Sequence, residues 1–412
     1  MGDRDFPSNV FRRRASSSAL DEGILGEYVF RPLILALLLG LTACGAAPDG
    51  ASGTGSPTSA PTGQAKAKGV LTVTPATGEG ISPAGPFEVG MTGGALTAVA
   101  LTGADGRVVK GELTAGRWVA TEDLGYDKAY TWSGSGKGED GVEVPVSGAF
   151  RTIKPQRLTS AKLNVGDDQT YGVAMPLKVT FSAPVQDKAS VQKSMTVKTS
   201  VPTEGAWAWL SDTEAHWRPK EYWRPNTEVF LDVAVYGVPF GGGAYGKADM
   251  HAQFKIADRA LVVKANTQTK RFEIYRDNVL LHDLPASYGK ESDPGRVTRS
   301  GIHVVQQKEA ARRMKSTTYN YDVPVTWAVL ISQNGEFVHE NDKTIPQQGN
   351  VNVSHGCANL SGPNAKIFYD LTMIGDPVEV VGSSVQLGPA DRDYWDWTLD
   401  WAAWTAKSAA IS

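Results

Sequence analysis

Two side chains in this sequence have the types and spacing that acyl transfer needs. Cys357 stands in Ser354-His355-Gly356-Cys357-Ala358-Asn359, and His339 lies eighteen positions upstream of it. The stretch from His339 to Asn359 holds two of the six histidines and one of the two cysteines. A thiolate is a strong nucleophile, but a free thiol with a pKa of about 8.5 is mostly protonated at pH 7, so a neighbouring imidazole is needed to take its proton. Gly356 lets the backbone turn tightly beside the thiol, and successive N–H groups there can face a developing oxyanion. A lone cysteine is more often a core residue, but polar and glycine neighbours do not suit a core position. Zinc held by His339, His355 and Cys357 lacks the second cysteine or His-x-His pair that would complete the set. No metal and no cofactor is therefore expected. His216, His251, His282 and His303 sit in strand-like contexts and read as structural.

The elements that must position this pair read as β almost throughout. From Val70 to about Thr152, short alternating runs such as Leu71–Thr74, Leu96–Leu101, Arg117–Ala120 and Ala129–Trp132 are separated by Gly-rich turns. Residues 157–256 repeat the style in Leu177–Phe181, Met195–Lys198, Ala206–Trp209, Val229–Tyr236 and Ala252–Ile256. Strands at such spacing suggest two β-sandwiches, and neither segment carries a long amphipathic helix. Further strands follow at Leu261–Ala265, Arg271–Tyr275, Val279–Leu281, Ile302–Val305, Thr326–Ile331 and Val378–Val381. One short helix is predicted after Ser361, with Pro363 in its first turn, an apolar face of Ile367, Phe368, Leu371 and Ile374, and Gly375 as its stop. The last thirty residues carry Trp395, Trp397, Trp401 and Trp404 in a predicted helix.

Composition removes other classes. The chain has 412 residues, and 41 Lys+Arg against 44 Asp+Glu leave it near neutrality; this excludes a polybasic nucleic-acid binder. Two cysteines, Cys44 and Cys357, exclude a disulfide scaffold and a four-cysteine metal site. Arg12, Arg13, Arg14 and Arg31 precede an apolar run from Leu33 to Ala43, too short to span a bilayer but suited to a signal peptide over 1–43. The run ends Leu41-Thr42-Ala43-Cys44-Gly45, which resembles a bacterial lipobox with Cys44 as the lipidated residue. The alternative is an ordinary secretory signal with a chance cysteine. Residues 45–69 contain only Gly, Ala, Pro, Asp, Ser, Thr, Gln and Lys, a flexible linker with a coil span of about 25–30 Å. If Cys44 carries a lipid, Cys357 has no partner and is a free thiol in an exported protein.

His339, fourteen intervening residues, then Ser-His-Gly-Cys-x-Asn resembles the signature of the L,D-transpeptidases, cysteine enzymes that cross-link peptidoglycan. The resemblance extends over most of residues 70–405. Asp212–Trp223 looks like the family's second immunoglobulin-like module. Ser287-Tyr-Gly-Lys290, Gly301–Val305, Gly335–His339 and Gly375–Val380 resemble its catalytic domain. Asp396–Trp404 is similar to the C-terminal subdomain of the mycobacterial-type members. The resemblance implies a mainly β protein. Its parts are immunoglobulin-like sandwiches over 70–154 and 155–256, a β-sandwich catalytic domain with a short helix over 257–382, and a Trp-rich tail over 383–412.

Roles follow residue by residue from the resemblance. Cys357 is the acylated nucleophile, and His339 is the base, oriented by the backbone carbonyl of Glu340. The N–H groups of His355, Gly356 and Cys357 form the oxyanion hole. Ser354 and Asn359 shape the loop and touch substrate, Tyr321 lies near the oxyanion, and Met314 and Tyr319 line the active-site lid. Only Asn320 separates Tyr319 from Tyr321, where relatives carry a longer lid, so a more exposed site is expected. The implied reaction acylates Cys357 with a tetrapeptide stem, releases D-alanine and forms a three-to-three cross-link. Carbapenems are expected to acylate the same thiol, and the lipid anchor would hold the protein on the outer face of the membrane, at the cell wall. An L,D-carboxypeptidase of the same fold and a non-catalytic wall-binding lipoprotein are the competing readings.

Weaker matches carry less. Gly241–Ala248 nearly spells a phosphate loop but lacks the final hydroxyl and reads as a Gly-rich hairpin. Ser287–Lys290 and Ser190–Lys193 both fit Ser-x-x-Lys, but the Ser-Asp-Asn and Lys-Thr-Gly partners of penicillin-binding proteins are absent. Lys308–Lys315, with four basic residues, reads as a solvated face.

Overall fold

A computed structural model describes residues 66–391 and 394–409. The stretch read as a signal peptide, the expected lipidation site Cys44 and most of the expected linker fall outside the described residues.

Alternating burial builds the first two sandwiches. In Leu177–Phe181 every second side chain is buried, and Met250–Ile256 does the same with Ala252, Phe254 and Ile256, as a sheet with one wet face requires. The first sandwich pairs a sheet of Val70–Thr74, Glu88–Thr92, Arg117–Ala120 and Gly111–Thr114 with one of Thr77–Ile81, Glu143–Thr152, Ala129–Gly138 and Gly94–Gly103. Phe87, Trp118, Trp132 and Phe150 fill its core. The second sandwich closes over Trp207, Trp209, Trp217 and Trp223. Its Gly-rich segment is a hairpin of Pro239–Gly241 and Ala244–Gly246, and the positive φ of Gly242 and Gly243, 55° and 71°, makes the two-residue turn. A short helix, Lys188–Lys193, was not legible in the sequence.

The third part has two sheets. Five strands run in the order Val279–Pro285, Arg271–Arg276, Leu261–Asn266, Pro377–Val381, Gly301–Val304. Four more run in the order Gln307–Ser316, Tyr321–Ser332, Glu336–Glu340, Ala358–Leu360. The expected helix is Gly362–Leu371 with a proline in its first turn. Its buried Phe368 meets Phe272 edge-on at 5.0 Å. The helix ends before Ile374, contrary to expectation. The Asp376 carboxylate accepts from the Met373 N–H and the Thr372 hydroxyl, and Arg259 grips it at 2.7 and 2.8 Å, which pulls the chain out of the helical path.

The Trp-rich tail also departs from expectation. Only Trp401–Thr405 is α-helical, while Asp396–Thr398 is a single 3-10 turn. The indoles have fixed partners on the second sandwich: Trp397 Nε1 donates to the Ala174 carbonyl and Trp404 Nε1 to that of Ala206. Arg218, 2 % exposed, lies over Trp397, Trp401 and Trp404 at 4.7, 5.4 and 4.8 Å. One continuous helix would not aim these rings at one guanidinium and two separate carbonyls. No described helix is long and apolar enough to cross a membrane.

Candidate active site

The sheet register explains the spacing of His339 and Cys357. Glu336–Glu340 and Ala358–Leu360 pair in parallel, with His339 opposite Asn359. Parallel strands need a crossover of a dozen or more residues, and residues 341–357 supply it. Successive side chains on a strand alternate faces. Cys357, two residues before Asn359, therefore shares the face of His339. Both line a cleft of about 290 Å³ together with Met314, Tyr321, Ser354, His355 and Asn359.

His339 is oriented through its backbone neighbour. Its Nδ1 lies 2.6 Å from the Glu340 carbonyl. A carbonyl only accepts, so Nδ1 carries the hydrogen and Nε2 is left as a bare acceptor. Burial pushes the imidazole below its usual pKa of 6.5, against the opposing pull of the Glu340 carbonyl and charge. The ring is thus neutral at pH 7 and able to take a proton.

The thiol is held protonated at rest. Burial raises the Cys357 pKa to about 12; the Phe337 N–H lowers it, and Glu336 raises it whenever its carboxylate is ionised. The Sγ–H points to the Gly335 carbonyl at 3.7 Å. Cys357 is a free thiol, packed with Met314, Val325, Ala328, Leu330 and Phe337. A buried, protonated thiol needs a base to take its proton before the sulfur can act as a nucleophile.

The loop between the strands is fixed from within. Ser354 Oγ donates to the Cys357 carbonyl at 2.6 Å and accepts from the Gly356 N–H at 3.2 Å. Of the three N–H groups expected to face an oxyanion, that of Gly356 is thus committed to Ser354 in this structure. Gly356 has φ of 116°, which a side chain would strain. Asn359 is 2 % exposed, and its backbone is bonded both ways to Ser287 at 2.8 and 3.0 Å.

The segment expected to be a lid is a long hairpin. Gln307–Ser316 and Tyr321–Ser332 pair to the end, with Ser316 opposite Tyr321, and Asn320 turns with φ of 48°. The basic run Lys308–Lys315 read as a solvated face is this edge strand. Tyr319 and Tyr321 both pack on the His355 ring, at 4.7 and 5.4 Å. Met314, Tyr321 and His355 separate the smaller cleft from a second hollow of about 630 Å³, bordered by Arg299, Arg312 and Asp391. Burial raises the Tyr321 pKa, with smaller contributions from Cys357 and Tyr319.

Two supporting residues, Arg296 and Thr298, carried no motif in the sequence, and a third, Ser287, was quoted without this role. The Arg296 guanidinium donates to the carbonyls of Ser354 and Val353 at 3.1 and 2.5 Å, and the Thr298 hydroxyl donates to that of Gly356 at 2.8 Å. The Ser287 hydroxyl, in the quoted Ser287–Lys290, donates to the Val351 carbonyl at 2.7 Å. Among the described residues no group of three or more His, Cys, Asp or Glu side chains is placed to hold a metal.

Residues 78–239 match a bacterial Ig domain model and residues 259–380 an L,D-transpeptidase catalytic domain model. These matches define the class: an immunoglobulin-like module followed by an L,D-transpeptidase catalytic domain. L,D-transpeptidase 5 of Mycobacterium tuberculosis is 45% identical over 336 residues, covering 80% of this chain and 74% of that one. L,D-transpeptidase 2 of the same species is 34% identical over 340 residues, covering 80% and 82%. The chain belongs to the L,D-transpeptidase family. Among solved structures, an LD transpeptidase in complex with imipenem is 31% identical, covering 55% of this chain and 100% of that one, with a TM-score of 0.47.

Proposed function

We propose that the protein is a peptidoglycan L,D-transpeptidase that works through a Cys357 thioester. The observation that carries this reading is the His339 tautomer: Nδ1–H is spent on the Glu340 carbonyl, and Nε2 is bare on the strand face that Cys357 shares. In the first transfer His339 Nε2 takes the Sγ proton and sulfur adds to the carbonyl of the third residue of a tetrapeptide stem. The C–N bond breaks, the imidazolium returns its proton to the departing amine, and D-alanine leaves. In the second transfer a side-chain amine of another stem adds to the thioester. His339 takes a proton from that amine and sulfur departs, leaving a three-to-three cross-link and the original thiol. One amide bond is exchanged for another, so no ATP is consumed.

Cys44 carries the lipid anchor in this reading, and the linker holds the body at the cell wall outside the membrane. Residues 70–154, 155–256, 257–382 and 383–412 are its domains. Ser354 and Asn359 hold the loop against substrate, Tyr321 sits by the oxyanion, and Met314, Tyr319 and His355 wall the cleft. Carbapenems present a strained carbonyl to the same sulfur. Incubation of the purified protein with tetrapeptide stems tests the reading. Cross-linked dimers with free D-alanine are expected. Tripeptide alone identifies an L,D-carboxypeptidase, and unchanged stems identify a wall-binding lipoprotein without catalysis; either overturns it.

A further inference from the structure

Glu336 opens the strand that carries His339, yet it is 2 % exposed. It lies beneath the loop of the thiol: a Cβ on Gly356 would stand 3.6 Å from Glu336 Cγ. Its Oε1 accepts from the Arg299 N–H at 3.0 Å and from the Arg299 guanidinium at 3.2 Å. The same guanidinium serves Asp391 at 2.6 Å. One partly buried cation thus faces two buried carboxylates, and the cluster lacks a positive charge or a proton.

His303 is placed to supply it. The ring is fully buried, and its Nε2 lies 2.9 Å from the Arg299 carbonyl. That nitrogen must carry a hydrogen, because the carbonyl only accepts. The other nitrogen, Nδ1, faces Glu336 Oε2 at 3.7 Å. Among the described residues neither atom has a hydrogen-bond partner. Two bare acceptors facing each other in a buried site would repel and go unsatisfied. One proton between them satisfies both, after a closing movement of about 0.9 Å to hydrogen-bond distance.

We propose that His303 and Glu336 share a single buried proton beneath Gly356, and that this proton keeps the Glu336 carboxylate from opposing the thiolate of Cys357. His303 and Glu336 are positioning residues, and the inference rests on Cys357 being the nucleophile. Burial holds the Glu336 carboxyl above its usual range, against the opposing pull of His303 and Arg299. The basic groups across the larger hollow have carboxylate partners of their own. Across the larger hollow Arg312 pairs with Glu309, and Arg313 and Lys315 with Asp322. His355, also on that hollow, is held below its usual pKa by burial and by Arg296.

Alkylation of Cys357 by iodoacetamide, followed on its own peptide by mass spectrometry in the full chain across neutral to alkaline pH, tests the proposal. His303→Gln strands the carboxylate without its proton. Its alkylation midpoint should rise by about one pH unit, a tenfold slowing at neutral pH. Glu336→Gln keeps the bond to Arg299 and removes the charge, so it should react no more slowly than wild type. The double variant should react like Glu336→Gln. Wild-type behaviour of His303→Gln, slow reaction of Glu336→Gln, or a double variant as slow as His303→Gln overturns the proposal. If His303→Gln does not fold, imidazole nitrogen NMR of the wild type decides: a hydrogen-bonded His303 Nδ1 is expected, and a bare one overturns the proposal. Carbapenem acylation of the wild type is scored separately. Its absence with the alkylation pattern intact sinks the nucleophile reading alone, and its presence with no change in alkylation sinks the shared proton alone.

Discussion

His216 and His339 are both buried, yet at neutral pH the first is charged and the second neutral. His216 lies between the Asp396 carboxylate at 2.7 Å and the Glu214 carboxylate at 2.8 Å. Burial alone would lower its pKa, but Asp396 and Glu214 outweigh it and raise the value to about 9. His339 is bonded to a neutral carbonyl, so burial wins and its pKa falls. The imidazolium at 216 joins the tail to the second sandwich, where a permanent charge between two carboxylates fixes a contact. The neutral ring at 339 can accept a proton. The partner, not the depth of burial, decides which role a histidine takes.

Substitutions at the two histidine sites should therefore separate chemistry from cohesion. The largest expected effect is at the thiol: Cys357→Ala should abolish dimer formation from tetrapeptide stems, and His339→Gln should lower kcat by about 10²–10⁴-fold. Neither should move the unfolding midpoint as tail substitutions do. Next, Asp396→Ala leaves a buried imidazolium short of a carboxylate and should cost about 3–5 kcal/mol in urea unfolding, with acylation per folded molecule retained. Unchanged stability would place the tail's cohesion elsewhere.

The pH dependence should run in opposite directions. His216 has a folded pKa raised from 6.5 to about 9. Its stabilisation is full below pH 6.5 and is lost as pH rises through about 9, so the thermal midpoint should fall over that window. His339 has a folded pKa below 6.5. It stays neutral at pH 7, and acyl transfer should fall only when pH drops below that ordinary value. The smallest effect is expected for Ser354→Ala, which removes the two hydrogen bonds of its hydroxyl. About 1–2 kcal/mol of stability, with slower acylation, would show that the loop is held from within.

The sequence made the proposed reacting pair legible because the parallel crossover writes a fixed gap between His339 and Cys357. It also made the β character legible, since half-buried strands alternate. Other features were hidden for physical reasons. The Arg299–Glu336–His303–Asp391 cluster draws on three separate stretches, so no local pattern announces it. Gln307–Ser316 alternates poorly because it is a charged edge strand, and charge on an edge guards against stray pairing. The tail has the indole spacing of a helix, but its rings are placed by Ala174, Ala206 and Arg218 across the interface. Ile374 fell outside its predicted helix because Asp376 competes for the last turn.

The most direct measurement is intact mass after exposure to meropenem, on the wild type and on Cys357→Ala. One adduct on the wild type and none on the variant is the expected result. A wild type that stays unmodified, or an adduct that survives on the variant, contradicts a nucleophilic sulfur at residue 357.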